Sequence, residues 1–142
     1  MKIPSLLVPV LTLGWLLAAG CSHIEIKPEG NPDRVVTGTV NFRVPAELPP
    51  GTVVTVRLMG ASSSVGAPDV LGQQIITSPI VQPIPFKIEY VAEDALLRLG
   101  LSLDARVAIA GKLRFYSVNS YAVTPSNAVD PHEIWVDPTG KD

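Results

Sequence analysis

The chain has 142 residues, with 11 Lys and Arg against 13 Asp and Glu and a formal net charge of −2. This length corresponds to one ordinary domain, and the charge lacks the basic excess that nucleic-acid binding requires. Only 17% of the residues are charged, while 14 prolines and 11 glycines interrupt a sequence that is 46% hydrophobic. The composition therefore excludes a charge-rich disordered chain and a protein built from long helices.

The first twenty residues have the pattern of an export signal. Met1-Lys2 is followed by an uncharged, apolar stretch from Ile3 to Ala19, which is typical of a secretory signal peptide. An uncleaved membrane anchor is the alternative, but the stretch is short for crossing a bilayer, and Pro4 and Pro9 weaken its first half as a helix. We expect residues 1–20 to be a removable signal peptide.

The only cysteine follows this stretch directly. The run Leu17-Ala18-Ala19-Gly20-Cys21 resembles the lipobox of bacterial lipoproteins, whereas the alternative, a thiol buried in a core, fits its neighbours poorly. The resemblance implies a diacylglyceryl group on the Cys21 sulfur, cleavage after Gly20 and acylation of the new amino terminus. Stable anchoring to a membrane takes two membrane-binding signals, and the several acyl chains of such a lipoprotein exceed this requirement. Ser22 in the next position implies the periplasmic face of the outer membrane.

After a charged, proline-containing tether at residues 21–34, apolar and polar residues alternate in short runs broken by Pro and Gly. The alternation predicts strands at 35–43, 52–59, 70–77, 84–91, 101–110, 113–118 and 121–123. Residues 92–100 predict one short helix, acidic at its start and ended by a glycine. We expect the first two strands to pair with each other, Pro85 to lie on an edge strand, and Gly111-Lys112 to form a type II′ hairpin turn.

The number and spacing of these strands predict a single all-β domain over residues 35–123. A two-layer antiparallel β-sandwich is favoured, with a small closed barrel as the alternative. Leu113 and Phe115 are expected to face the core, with Arg114 and Tyr116 on the opposite face. Residues 124–142 are expected to be a proline-containing C-terminal extension. Within it, Trp135 is expected in a terminal strand that packs on the sheet, or otherwise in a partner-binding or disordered segment.

Four segments in this order resemble the YbaY/YscW lipoprotein family. They are Val36–Val40 (VTGTV), Leu48–Leu58 (LPPGTVVTVRL), Pro83–Tyr90 (PIPFKIEY) and Ala105–Phe115 (ARVAIAGKLRF). The resemblance implies an immunoglobulin-like sandwich. YscW-type members are pilotins, lipoproteins that bind a secretin subunit of a type III secretion apparatus, carry it to the outer membrane and assist its assembly; YbaY-type members are envelope lipoproteins without a settled activity.

The sequence does not indicate an enzyme. Catalytic triads need a nucleophile, a base and an orienting acid, and the two histidines lie outside the predicted domain. Instead of acting as a catalytic base, the second histidine could belong to a weak metal site in the C-terminal segment. No cofactor is expected besides the covalent lipid on Cys21. The side chains considered for catalysis or metal binding are His23, Ser62, Ser63, Ser64, Glu93, Asp94, Asp130, His132 and Glu133.

Two classes of function remain. The first is a non-catalytic, membrane-tethered interaction or chaperone module that binds an envelope protein such as a secretin. The second is a periplasmic lipoprotein that binds a small molecule or glycan through loops 60–69 and 78–83. For the first class, strand arginines on an outer sheet face could dock an acidic partner, although solvated strand charges are the commoner case. The candidate partner-binding residues are Arg43, Arg57, Arg106, Arg114 and Trp135.

Overall fold

The computed structural model describes residues 33–60 and 68–140. The expected signal peptide, Cys21, His23 and Ser62–Ser64 lie outside these residues. The described residues are all-β with one short helix, as the alternation predicted. Its elements are β1 (Arg34–Phe42), β2 (Val53–Met59), β3 (Val70–Thr77), β4 (Ile84–Tyr90), α1 (Asp94–Leu99), β5 (Leu101–Ile109), β6 (Lys112–Tyr116), β7 (Tyr121–Val123) and β8 (His132–Pro138).

The core forms because each strand buries every second side chain. In β4, Ile84, Phe86, Ile88 and Tyr90 are buried while the residues between them are exposed, since successive side chains point to opposite faces. β2 and β5 follow the same alternation. In the described ranges, the only helix is α1, which is too short to cross a membrane.

The strands form one eight-stranded sheet rather than two packed layers. Its order is β3-β2-β5-β6-β8-β1-β4, with β7 paired to β5, and the sheet curves into a nearly closed barrel. The strand order therefore does not confirm the expected immunoglobulin-like sandwich and is closer to the alternative, a small barrel. The expected pairing of the first two strands is also wrong, because β1 pairs with β4 and β8 while β2 pairs with β3 and β5. The connection of residues 43–52 is longer than a typical hairpin loop and crosses the end of the barrel.

Side chains rather than a backbone ladder close the barrel between β3 and β4, the two ends of the strand order. The Lys87 backbone N–H donates to the Gln74 side-chain oxygen at 2.7 Å. Gly72 lies so close to β4 that a Cβ there would be 2.5 Å from Ile88 Cγ2. Pro85 cannot donate a backbone hydrogen bond, and its place on terminal strand β4 confirms the edge prediction.

Strand β8 comes from the segment expected to be an extension beyond residue 123. It lies between β6 and β1 and runs parallel to β1, so the sheet is not purely antiparallel. The parallel direction arises because β8, like β1, starts at the end of the barrel that holds α1. The Tyr121 hydroxyl accepts a hydrogen bond from the Trp135 N–H at 3.0 Å, which ties β8 to β7. The prediction of a terminal strand around Trp135 is confirmed.

The hairpin between β5 and β6 differs in detail from the prediction. Ala110 and Gly111 form the turn, with φ values of 52° and 76°, and Lys112 already belongs to β6. Two positive φ values are the signature of a type I′ turn rather than type II′. The pairing then shifts by one residue, from Val107 opposite Phe115 to Ala108 opposite Leu113.

This shift makes Arg114 the extra residue of a β-bulge, which breaks the alternation along β6. Leu113, expected in the core, is 45% exposed because it pairs with outward-facing Ala108. Arg114 is partly buried instead of fully outward. The predicted facing is therefore wrong for Leu113 and Arg114, whereas Phe115 packs against the core as expected.

The barrel has two distinct ends. The proximal end is where β1 starts at Arg34 and where α1 and residues 124–131 lie. The distal end is where β1, β5 and β8 finish; it carries the connections 43–52, 78–83 and 110–111 and residues 139–140.

Candidate functional site

An open groove of about 620 Å³ lies at the distal end. Its three walls are residues 45–47 of the connection after β1, the β5–β6 hairpin with Ile109, Arg114 and Phe115, and residues 138–140 after β8. The volume is within the range of typical ligand sites, roughly 300 to 1,000 Å³. Three segments far apart in sequence thus enclose one concave surface, which we call the distal groove.

Packing and hydrogen bonds fix the walls of the distal groove. Phe115 stacks edge to face on Phe42 with ring centroids 5.0 Å apart, a favourable aromatic geometry. The backbone N–H of Thr139 donates to the Arg114 carbonyl at 2.9 Å, so the third wall is bonded to the second. The Gln82 side-chain amide donates to the Ala46 carbonyl at 2.9 Å, which ties the first wall to the 78–83 connection.

The groove combines apolar surface with one charge of each sign. Proline, isoleucine and phenylalanine side chains supply the apolar lining, while Glu47 and Arg114 stand on different walls. Within residues 33–60 and 68–140, neither Glu47 nor Arg114 takes part in an ion pair. Lys112, two residues before Arg114, is exposed and adds a second positive charge nearby.

Several exposed apolar side chains lie in the segments at the distal end of the barrel. Val44 follows β1, Ile80 and Val81 lie in the 78–83 connection, and Leu113 lies beside Arg114. Ile80 is 97% exposed and Val81 is 57% exposed. Exposed apolar residues near a groove of mixed lining are compatible with a protein-binding site.

Two of the four predicted partner-binding arginines are held by neighbours in the same sheet. Arg57 makes a two-pronged ion pair with Asp104, with 2.9 Å between Arg57 Nε and Asp104 Oδ1, and the hydrogen bond to Asp104 raises the Arg57 pKa above its usual value. Arg43 lies 3.3 Å from an Asp137 carboxylate oxygen and over the Trp135 ring, 5.6 Å from its centroid.

The other two arginines point to different places. Arg106 is exposed on the outer face of β5, opposite Tyr116, while Arg114 lines the distal groove. The five predicted residues thus do not form one basic face. Periodicity alone could not find the groove, because the β-bulge at Arg114 depends on how β6 pairs with β5. The proline-rich connection between β1 and β2 was the sequence signal that marked one of its walls.

Five of the residues considered for catalysis or metal binding lie in the described ranges, and two of them make structural contacts. His132 is buried, with Nε2 3.1 Å from the Asn127 carbonyl oxygen. The Asp94 carboxylate accepts a hydrogen bond from the Arg34 guanidinium and so joins α1 to the start of β1. Asp130, Glu93 and Glu133 are exposed. In the described part of the chain, no group of three or more His, Cys, Asp or Glu side chains is arranged to hold a metal ion.

The fold and the groove define a small, nearly closed β-barrel protein with an open groove at one end. Residues 31–135 match the family described as "Type III secretion system lipoprotein chaperone (YscW)". The match covers more than half of the chain, and the chain belongs to this family.

One similar solved structure is an alternative pilotin from the type II secretion system of Vibrio cholerae. The two chains share 25% sequence identity with a TM-score of 0.66, over 76% of this chain and 98% of the pilotin. No curated protein matches the sequence. The family assignment confirms the resemblance to YscW-type lipoproteins.

Proposed function

We propose that this protein is a pilotin-type chaperone: a lipoprotein that binds a secretin subunit and assists its assembly in the outer membrane, without catalysis. The family match over residues 31–135 carries the proposal, because it spans nearly the whole barrel. The similarity to a pilotin of a type II system supports the same role. The family description names a type III system, whereas the similar pilotin belongs to a type II system. The proposed partner is therefore a secretin of either type.

Anchoring is the second part of the proposal. Acyl chains on Cys21 would hold the protein on the periplasmic face of the outer membrane, and residues 22–33 would connect them to the barrel. Arg34, the first residue of β1, is fixed by Nε donating to the Ala92 carbonyl at 2.8 Å and by its ion pair with Asp94. The tether therefore joins the barrel at a rigid point on its proximal end.

This attachment point supports a definite orientation. β1 has nine residues and spans about 30 Å at the usual rise per residue of a strand. The distal groove lies at the opposite end of β1 from Arg34. With the proximal end towards the membrane, the groove would face the periplasm, where an unassembled secretin subunit is accessible.

The test is assembly of the secretin encoded in the same genome in cells that carry the full chain or a Cys21→Ser variant. We expect the wild type to recover the secretin stoichiometrically from outer-membrane fractions and to promote its multimers there. We expect Cys21→Ser to keep its affinity for the secretin but to leave the complex in the periplasm. A Ser5→Ala variant, altered within the expected signal peptide but not in the lipobox, is the matched control.

Two results would contradict the proposal. One is a wild-type pull-down from membranes that recovers no stoichiometric secretin. The other is a Cys21→Ser variant that promotes outer-membrane multimers as well as the wild type does.

The alternative is a periplasmic lipoprotein that binds a small molecule or glycan. The volume of the distal groove supports this reading, and the 78–83 connection borders the groove through Gln82. A screen of envelope metabolites and glycans that produces a saturable shift in thermal melting, with no secretin binding, would favour it.

A further inference from the structure

We propose that the distal groove binds a linear segment of the partner protein in which an Asp or Glu carboxylate is flanked by apolar side chains, and that Arg114 pairs with this carboxylate. The inference rests on the proposed function, because the partner is taken to be the secretin subunit. It goes further by assigning the binding surface, the chemistry of the bound segment and the residue that selects it.

The local charge favours an anionic segment. Arg114 lines the groove without an ion-pair partner among residues 33–60 and 68–140, and Lys112 is exposed two residues away. Among the described lining residues, Glu47 is the single acidic group. A partly buried guanidinium suits a carboxylate, because its fixed fork of donors matches the two carboxylate oxygens.

The β-bulge is the structural reason that Arg114 is available. Without the extra residue, alternation would place its side chain on the outer face beside Tyr116, as the sequence predicted. Bulges reorient side chains next to binding sites. Here the bulge brings a cation to the groove and leaves the preceding residue, Leu113, exposed.

The apolar part of the segment follows from the lining and the residues next to it. Ile109, Phe115 and Pro138 provide apolar surface inside the groove, and Val44 and Leu113, each next in sequence to a lining residue, are exposed. A bound segment with apolar residues on both sides of its carboxylate would cover this surface. Removal of that surface from water supplies affinity, while the single ion pair supplies selectivity.

The outer-face arginines are weaker candidates for the same role. Arg43 and Arg57 would each have to leave an existing carboxylate, Asp137 or Asp104, to bind a new one. Arg106 is free of this constraint but lies on a convex outer strand face.

The experiment measures binding of the full-length protein to overlapping fifteen-residue peptides that cover the secretin subunit, by fluorescence anisotropy. We expect peptides with a carboxylate between apolar residues to bind the wild type. For these peptides, Arg114→Glu should weaken binding at least tenfold, as should replacement of the peptide Asp or Glu by Asn or Gln. Glu47→Gln should tighten binding severalfold. Arg106→Glu is the matched control, with the same charge change outside the groove, and should alter binding less than twofold.

The outcomes separate this inference from the proposed function. If intact secretin binds but no peptide does, or if Arg114→Glu and Arg106→Glu have equal effects, the groove assignment is overturned and the pilotin role stands. If bound peptides are basic, the assignment is likewise overturned. If neither intact secretin nor any peptide binds, both proposals fail. Circular dichroism of each variant establishes that a loss of binding does not come from unfolding.

Discussion

Tyr90 is the residue whose burial has the clearest consequence for stability. It ends β4 opposite Arg34 and is 1% exposed. Burial raises the Tyr90 pKa above its ordinary value, and the nearby positive charge of Arg34 opposes this with a smaller effect. The barrel therefore favours the neutral phenol, whereas the unfolded chain ionises it from about pH 10.

A group with a raised folded pKa stabilises the fold below its unfolded pKa, and this stabilisation is lost as pH rises through the folded value. We predict that the free energy of unfolding falls with pH above about pH 10 and that Tyr90→Phe makes this fall shallower. Urea unfolding at several alkaline pH values measures it. Tyr116→Phe, at an exposed tyrosine, should leave the slope as in the wild type. Equal slopes for Tyr90→Phe and the wild type would contradict the prediction.

Ala110 places a measurable strain in the β5–β6 hairpin. Its φ of 52° is in the left-handed region, which is unfavourable for alanine by about 1 to 2 kcal/mol. Asn tolerates this region, and Asn-Gly is the preferred pair of a type I′ turn. We therefore predict that Ala110→Asn raises the free energy of unfolding by about 1 kcal/mol.

Thermal and urea unfolding check this stabilisation. The control is Ala122→Asn, the same chemical change at an exposed position of β7, where strand backbone disfavours Asn. A hairpin variant no more stable than the wild type would mean that the turn is not strained as its φ indicates.

At the scale of the elements, the sequence predicted strand bounds and core faces better than it predicted strand pairing. Alternation predicted β3 and β7 at their observed bounds and the core face of β4, because burial of every second residue is a local property. It failed for the pairing of β1 and for the facing of Arg114, because both depend on distant strands. The surroundings of two predicted partner-binding arginines were beyond the sequence for a related reason: Asp104 and Asp137 pair with Arg57 and Arg43 through contacts that no local pattern contains.

At the scale of the molecule, Gly38 decides whether β8 can take its place in the barrel. A Cβ at this position would be 1.9 Å from the His132 carbonyl oxygen and 2.8 Å from its carbonyl carbon, which are backbone atoms of β8. We predict that Gly38→Ala lowers the free energy of unfolding by about 3 kcal/mol or more, since relief requires β8 to move.

Urea unfolding measures the Gly38 effect, with Thr37→Ala at the exposed neighbouring position as the control. Because residues 138–140 form a groove wall, Gly38→Ala should also weaken peptide binding under conditions where the barrel remains folded. A loss of stability below about 1 kcal/mol, the average for a point mutation, would show that the parallel pairing tolerates a side chain.

The final prediction concerns the distance between membrane and groove. The twelve residues from Ser22 to Asp33 extend at most about 40 Å, and the barrel adds about 30 Å along β1. A chaperone that acts by position requires this distance to match that of its partner's binding segment. We predict that deletion of residues 24–29 reduces secretin multimers in the outer membrane, while the corresponding soluble Cys21→Ser form keeps its affinity for the secretin. Replacement of the same six residues by Gly and Ser should preserve assembly, because length rather than sequence sets the distance. Wild-type assembly by the shortened chain, or loss of assembly in the Gly-Ser chain, would show that the tether does not act as a spacer.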